Sequence, residues 1–277
     1  MATWTFRIGL LAVLVALLSA CCFGGGAAAT ETLPVEEMYA QANKSMRAGN
    51  NERAIRFYRR LVSRFPIGAY AEESELELGY AQYQNRDYEE ALSQVNRFIR
   101  QYPTHRHIDY AFYLRGLINF EREAGLLERY IKPDATRRDQ GFARQAFQDF
   151  GELVQRYPQS RYAADARQRM ISLRNDLAQS ELNVASFYFR RGAYVAAQSR
   201  ARTIIETYQE TPQAGEALAI MAESYQRLGE DQLADDVRSV LALNYPDHPY
   251  LRGDWPARGN RWWQLVPFIG ESRARGG

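Results

Sequence analysis

Leu78-Gly79-Tyr80, then Tyr88-Glu89-Glu90-Ala91-Leu92, then Tyr102-Pro103 carry the pattern that organises this chain. Ala91 is followed twelve residues later by a proline that has an aromatic residue before it. The same pairing recurs at Ala54 with Phe65-Pro66, Ala146 with Tyr157-Pro158 and Ala234 with Tyr245-Pro246. A fifth copy, Ala197 with Thr211-Pro212, spans fifteen residues and puts threonine before the proline. Proline lacks the N–H that a continuing helix needs, and it disfavours helix in the residue before it. Each pair therefore reads as a helix running to its stop. Small residues such as Gly79 and Ala91 let neighbouring helices approach closely, and the aromatic at the stop fills the gap between successive units. From Val35 onward apolar residues recur at intervals of three and four, and strand-type alternation is scarce.

These features predict an all-α chain, a right-handed superhelical solenoid of about five helix pairs. Units fall near 35–66, 72–103, 109–158, 162–212 and 215–246. Helix–turn–helix units of about 34 residues with such small and aromatic positions resemble tetratricopeptide repeats. One unit cannot bury its apolar face alone, so copies stack, and the stack offers a surface to other proteins. The prolines are spaced 37, 55, 54 and 34 residues apart. The second interval points to an insertion at 123–141, rich in charge and containing Pro133, in a unit whose first helix is expected to close at Gly116. Long connections in compact arrays are usually functional or mobile. In the third interval, Tyr162 to Arg191 has no Pro or Gly. It reads as one helix of about 45 Å, or as two with a break near Asn175-Asp176.

Residues 1–20 carry one charge, Arg7, and an apolar run of eleven, Ile8 to Leu18. That is short for a bilayer span and matches the core of a signal peptide. Leu18-Ser19-Ala20-Cys21 resembles the lipobox of bacterial lipoproteins, which implies diacylglycerol on the Cys21 thiol and cleavage just before it. An ordinary secretory signal with an incidental cysteine is the alternative. Cys22, rather than Asp, follows the anchor, which in such lipoproteins implies passage to the outer membrane. Residues 21–34 read as the lipidated cysteine and a flexible tether. Gly24-Gly25-Gly26 has no strand before it and no Lys-Ser/Thr after it, so a phosphate loop is the poorer reading. Cys21 and Cys22 are the only cysteines, which leaves the body without disulfides or thiol chemistry. The formal net charge is +2, from 35 basic and 33 acidic residues that are interspersed, so nothing calls for nucleic acid.

No constellation argues for catalysis, a metal or a cofactor. His105 and His107 lie in Thr104-His105-Arg106-His107-Ile108-Asp109, between a proline stop and a helix, where Thr104 or Asp109 serves better as a helix cap than as part of a metal site. His248, between two prolines, reads as a turn residue. Paired carboxylates such as Glu72-Glu73 and Asp235-Asp236 are adjacent on helices and do not face one another.

Unit three is the most specific stretch. It contains Pro103-Thr104-His105, Ile108-Asp109-Tyr110, Tyr113-Leu114-Arg115-Gly116-Leu117, Arg138-Asp139, Ala146-Phe147-Gln148-Asp149-Phe150, Leu153-Val154 and Tyr157-Pro158-Gln159-Ser160-Arg161-Tyr162, followed by Asp165-Ala166. With Cys21 and the five units, this resembles the BamD family, the tetratricopeptide-repeat lipoproteins of the outer-membrane β-barrel assembly machinery. The resemblance covers about Val35 to Pro246. It implies a non-enzymatic scaffold held by a lipid anchor at the outer membrane and facing the periplasm. Its partners would be the barrel-forming core subunit, other assembly lipoproteins and unfolded outer-membrane protein precursors. By position, Pro66-Ile67-Gly68-Ala69-Tyr70 matches the family's precursor-binding turn, giving Pro66 and Tyr70 that role. Arg200 matches a basic position linked to the core subunit. Packing between repeats would equally account for Tyr70, and a solvated helix face for Arg200.

The chain departs from the family pattern at 251–277, with Trp255, Trp262-Trp263 and Phe268 among several arginines. Three readings stay open for this extension: a cap over the last repeat, a partner dock, or contact with a membrane surface. A rival to the assembly function is a repeat lipoprotein that coordinates cell-wall synthesis or division, although the coiled coil common in such proteins has no counterpart here.

Overall fold

The computed structural model describes residues 33–129 and 140–255. Among them are ten α-helices and no strand. They are α1 (Val35–Arg47), α2 (Asn51–Arg64), α3 (Ala69–Gln84), α4 (Tyr88–Gln101), α5 (Ile108–Arg129), α6 (Gly141–Arg156), α7 (Ala163–Arg190), α8 (Tyr194–Thr207), α9 (Ala214–Leu228) and α10 (Asp231–Asn244). A 3-10 turn, Pro249–Arg252, follows. Each of the two units described below is built of helical repeats, in which short turns make consecutive helices antiparallel neighbours. The chain divides into two compact units, residues 1–122 and 123–277.

In the first unit α1 packs on α2, α2 on α3, and α3 on α4. Gly49 turns the chain between α1 and α2 with φ of +71°. The Asn50 side chain then caps α2 by accepting the Arg53 N–H at 3.0 Å. Ala42, Ala54, Ile55, Phe57, Tyr58, Leu78 and Ala81 form the core. Tyr58 is fully buried and donates its hydroxyl to Asn43 Oδ1 at 2.6 Å. Gly79 allows a close crossing, for a Cβ there would lie 2.8 Å from Val95 Cγ2. In the α3–α4 turn Arg86 holds the left-handed conformation, φ +65°, at the position that Gly49, Gly192 and Gly229 occupy in other turns.

In the second unit α7 packs on α6, α8 and α9, and α9 packs on α8 and α10. Ala178, Leu182, Ala185, Ala197, Ala201, Ile204, Ala217, Ile220, Met221, Tyr225 and Ala234 share one core. Helix α7 runs unbroken for 28 residues, about 42 Å. No break occurs at Asn175-Asp176, because Leu173 and Leu177 are buried on either side.

All five alanines of the repeat, Ala54, Ala91, Ala146, Ala197 and Ala234, are buried. The fifteen-residue exception among the stops is not real. α8 ends at Thr207, well before Thr211-Pro212, and Tyr208 is its terminal cap. The cap dihedral φ is −126° at Phe65, −127° at Tyr102, −130° at Tyr157, −129° at Tyr208 and −138° at Tyr245. Each aromatic lies eleven residues after its alanine. The conserved register therefore belongs to the aromatic, which sends its N–H back to the carbonyl four residues earlier in every case. Thr211 is buried in the linker instead, donating its hydroxyl to the Tyr208 carbonyl at 2.7 Å.

Unit three also differs from expectation. Gly116 does not close a helix, since α5 continues to Arg129. Leu114 and Ile118 are buried on both sides of it, which outweighs the roughly 1 kcal/mol cost of an interior glycine. The first residues of the 123–141 insertion are thus helical, and 130–139 lie outside the described residues. Neither Thr104 nor Asp109 is the cap of α5. The Ala111 N–H bonds to the His107 carbonyl, which leaves Asp109 inside the first turn. His105 Nδ1 instead accepts the N–H of His107, the residue before α5, at 3.1 Å.

Candidate binding surfaces

The linkers between repeats share one geometry. The carbonyl of the aromatic accepts the N–H three residues on, at His105, Ser160, Thr211 and His248. The carbonyls of those four residues then accept the N–H of Ile108, Ala163, Ala214 and Leu251. In the first linker Gly68 takes that place with φ of +114°, and α3 starts directly behind it at Ala69. This conformation turns the preceding residues outward: Pro66 is exposed, and Ile67 is 91% exposed despite its apolar side chain.

Tyr70, at the start of α3, is 39% exposed. Its ring lies 5.4 Å from that of Tyr39, which in turn lies 6.2 Å from Tyr58. Tyr70 therefore packs between helices, as one of its two readings has it, and also presents an edge to solvent. Tyr39 and Tyr70 form one wall of a cleft of 730 Å³, with Tyr102, Pro103, Thr104, His105 and Arg106 on the other side. Glu72 and Glu73 line it as well, and Arg106 pairs with Glu73. His105 is held by an edge-on contact with Phe98, 5.1 Å between centroids. Burial pushes the Tyr39 hydroxyl above its ordinary pKa, against the pull of its hydrogen bond with Asn43. Burial, and then the Glu75 carboxylate, does the same to Tyr102. Tyr39 and Tyr102 thus stay neutral at physiological pH, and the tyrosine rings offer apolar faces with a polar edge. The cleft accordingly suits an extended segment bearing aromatic or aliphatic side chains. Of the two residues named from sequence, Tyr70 lines the cleft and Pro66 does not; Tyr39, Tyr102 and Arg106 stand in other helices and turns and join it only through stacking.

Arg200, on α8, is half exposed and reaches Glu181 Oε2 at 3.3 Å. Glu181 is buried on α7, and Arg144 of α6 approaches its other oxygen at 3.7 Å. Arg200 therefore has a structural duty, balancing a carboxylate removed from water, while its outer half remains available. Glu75 on α3 and Arg97 on α4 form a comparable pair at 3.6 Å. Burial raises the Glu75 pKa, and Arg97 and Gln94 oppose the rise.

At the C-terminal end His248 is more than a turn residue. Its Nδ1 accepts the Tyr250 N–H at 3.3 Å, and its Nε2 lies 3.4 Å from Glu216 Oε2. Trp255 donates to the other oxygen of Glu216 at 3.0 Å and packs edge-on against Phe189 and Tyr250, each at 5.5 Å. Cys21 and its tether, and residues 256–277, lie outside the described residues. No helix among the described residues is long and apolar enough to cross a membrane.

Residues 31–241 match the model of a family described as outer membrane lipoprotein, YfiO. The chain is 42% identical to the outer membrane protein assembly factor BamD of Xylella fastidiosa, over 99% of this chain and 94% of that protein. It is also 42% identical to the BamD of Neisseria meningitidis serogroup A, over 89% and 94% of the two chains. The BamD of Vibrio cholerae matches at 37% over 76% and 88%. Among solved structures, the TPR2AB domain of yeast Sti1 aligns at 14% identity with a TM-score of 0.43, covering 78% of this chain and 79% of that one, a likeness too loose to add to the assignment. On the relatives and the family model together, the chain belongs to the BamD family of outer membrane protein assembly factors.

Proposed function

We propose that this protein is a non-enzymatic scaffold of the outer-membrane β-barrel assembly machinery. It is anchored through lipid on Cys21 and faces the periplasm. Its first unit receives unfolded outer-membrane protein precursors, and its second engages the barrel-forming core subunit through the surface around Arg200. The observation that carries the precursor role is the outward turn at Pro66-Ile67-Gly68 beside the cleft of Tyr39, Tyr70 and Tyr102. A barrel segment is extended, apolar at alternate residues and often aromatic at its end. It gains contact with tyrosine faces without requiring a deep pocket. The base suited to a terminal carboxylate is Arg106, which must share itself with Glu73. No nucleotide is required, because differences in affinity can order the hand-over between partners.

One experiment with two variants tests this reading. Tyr70→Ala removes a partly exposed ring and should weaken binding of precursor-derived peptides by about tenfold or more, as for an aromatic anchor, with helical circular dichroism unchanged. Arg200→Gln should leave peptide binding intact and reduce co-purification of the core subunit. Unchanged affinities in both variants, with both proteins folded, would remove the assignment of these two surfaces.

A further inference from the structure

Helix α2 carries Arg53, Arg56, Arg59, Arg60 and Arg64 against a single acid, Glu52. At 3.6 residues per turn these five arginines fall within an arc of about 140°. The opposite side holds the buried Ala54, Ile55, Phe57, Tyr58 and Leu61. All five arginines are exposed. The second helices of the later repeats do not share this imbalance. α4 sets Glu89 and Glu90 against Arg97 and Arg100, α6 sets Asp149 and Glu152 against Arg144 and Arg156, and α10 carries three aspartates against Arg238. The α2 face is also poorly neutralised by its own acid. Arg56 approaches Glu52 at only 3.8 Å, with 68% and 75% of the two side chains exposed, so that pair is screened by water.

A second observation concerns where the N-terminal segment joins the fold. The Arg64 guanidinium donates to the Leu33 carbonyl at 3.3 Å. The chain leading back to Cys21 therefore departs beside the C-terminal end of the arginine face. Eleven residues lie between Cys21 and Leu33, a span of at most about 40 Å, so an anchored chain can bring α2 to the bilayer. Lipid modification and a basic patch are the two signals that together give stable attachment to an anionic surface.

We infer that the arginine face of α2 docks on anionic phospholipid headgroups of the leaflet that holds the N-terminal anchor. The contact sets the orientation of the first repeat against the bilayer. This inference rests on the reading of Cys21 as the anchor, and its test separates the two. The full chain is reconstituted into vesicles of phosphatidylcholine alone or doped with phosphatidylglycerol. Arginines are then modified with phenylglyoxal and mapped by mass spectrometry. Arg56, Arg59 and Arg60 should be protected several-fold in the anionic vesicles only, and added salt should abolish the protection, while Arg227 and Arg252 react equally in both. Replacing Arg56, Arg59 and Arg60 together by Gln should cut partitioning of the non-lipidated Cys21→Ser chain onto anionic vesicles by about a hundredfold, at about fivefold per arginine. Equal reactivity in the two kinds of vesicle, or protection that appears only when an acidic partner protein is added, would overturn the inference. Failure of the wild-type chain to stay with neutral vesicles counts against the anchor alone, since anionic-specific protection is read independently of it.

Discussion

Glu77 on α3 is largely withdrawn from water. Burial is the main cause that raises its pKa, and the neighbouring Glu73 carboxylate adds to the rise. Burial raises the hydroxyls of Tyr39 and Tyr58 above their ordinary pKa, and the Glu77 carboxylate adds to the rise at both. For a carboxyl whose folded pKa exceeds its unfolded one, the folded state holds the proton more tightly. Such a group costs no stability at pH values below the ordinary carboxylate range near 4, and it destabilises progressively as pH rises through the folded value. Glu77→Gln should therefore raise the Tm at pH 7 to 8 by a few degrees, with the gain disappearing as pH falls toward about 4. Thermal melts of both proteins across that range check the sign. A gain that persists at the acid end would assign the effect to packing. Nothing in the sequence singles out Glu77 among the acids of α3, because its environment is supplied by α1 and α2. Gly79, two residues away, was legible, since its missing side chain is itself the message that Val95 comes close.

At the scale of the element, the repeat was legible because its two fixed points are chemical extremes, a small residue that must be buried and an aromatic that must end the helix. The prolines were only companions of the second. Tyr208 ends α8 with nearly the same dihedrals as Tyr102 and Tyr157, yet Gln209 follows it and Pro212 arrives later. The aromatic ring, packed against the core of its unit, holds the stop. Tyr208→Ala should thus destabilise by about 2 kcal/mol through lost packing, while Pro212→Ala should stay within about 0.5 kcal/mol of wild type. Urea denaturation ranks the two, and the reverse order would restore the proline as the terminator. The Arg86 turn shows the opposite limit of legibility. A left-handed position is ordinarily signalled by glycine, and here Arg occupies it, so sequence alone places the turn only by counting back from Ala91. The cleft was legible only at Tyr70, the start of α3: Tyr39 comes from α1, and Tyr102, His105 and Arg106 from the next linker, and only the stacking height of a repeat joins them.

For the whole molecule, a stack of repeats must finish at both ends, and its last apolar face needs a cover. The match to the family ends at residue 241, within α10. What lies beyond is a compact device: the 3-10 turn at Pro249–Arg252, His248 capping it, and Trp255 set against Phe189, Tyr250 and the Glu216 carboxylate. Ile205, Val237 and Leu251 pack with the same ring around buried Leu218 and Leu241. The first five residues of the 251–277 extension pack over this last core, in keeping with the capping reading, and Trp262, Trp263 and Phe268 lie outside the described residues. This division makes a prediction. Trp255→Ala should cost about 2 to 3 kcal/mol, since a large ring packed against Phe189 and Tyr250 is removed and its hydrogen bond to Glu216 is lost. Truncation after Trp255 should leave stability within about 0.5 kcal/mol of wild type. Calorimetry on the two proteins decides between them. If the truncation melts early and Trp255→Ala does not, the cover over the last repeat belongs to the residues past 255. If the truncation is as stable as the intact chain but loses co-purification of the assembly subunits, those residues are the dock and Trp255 is the hinge pin that presents them.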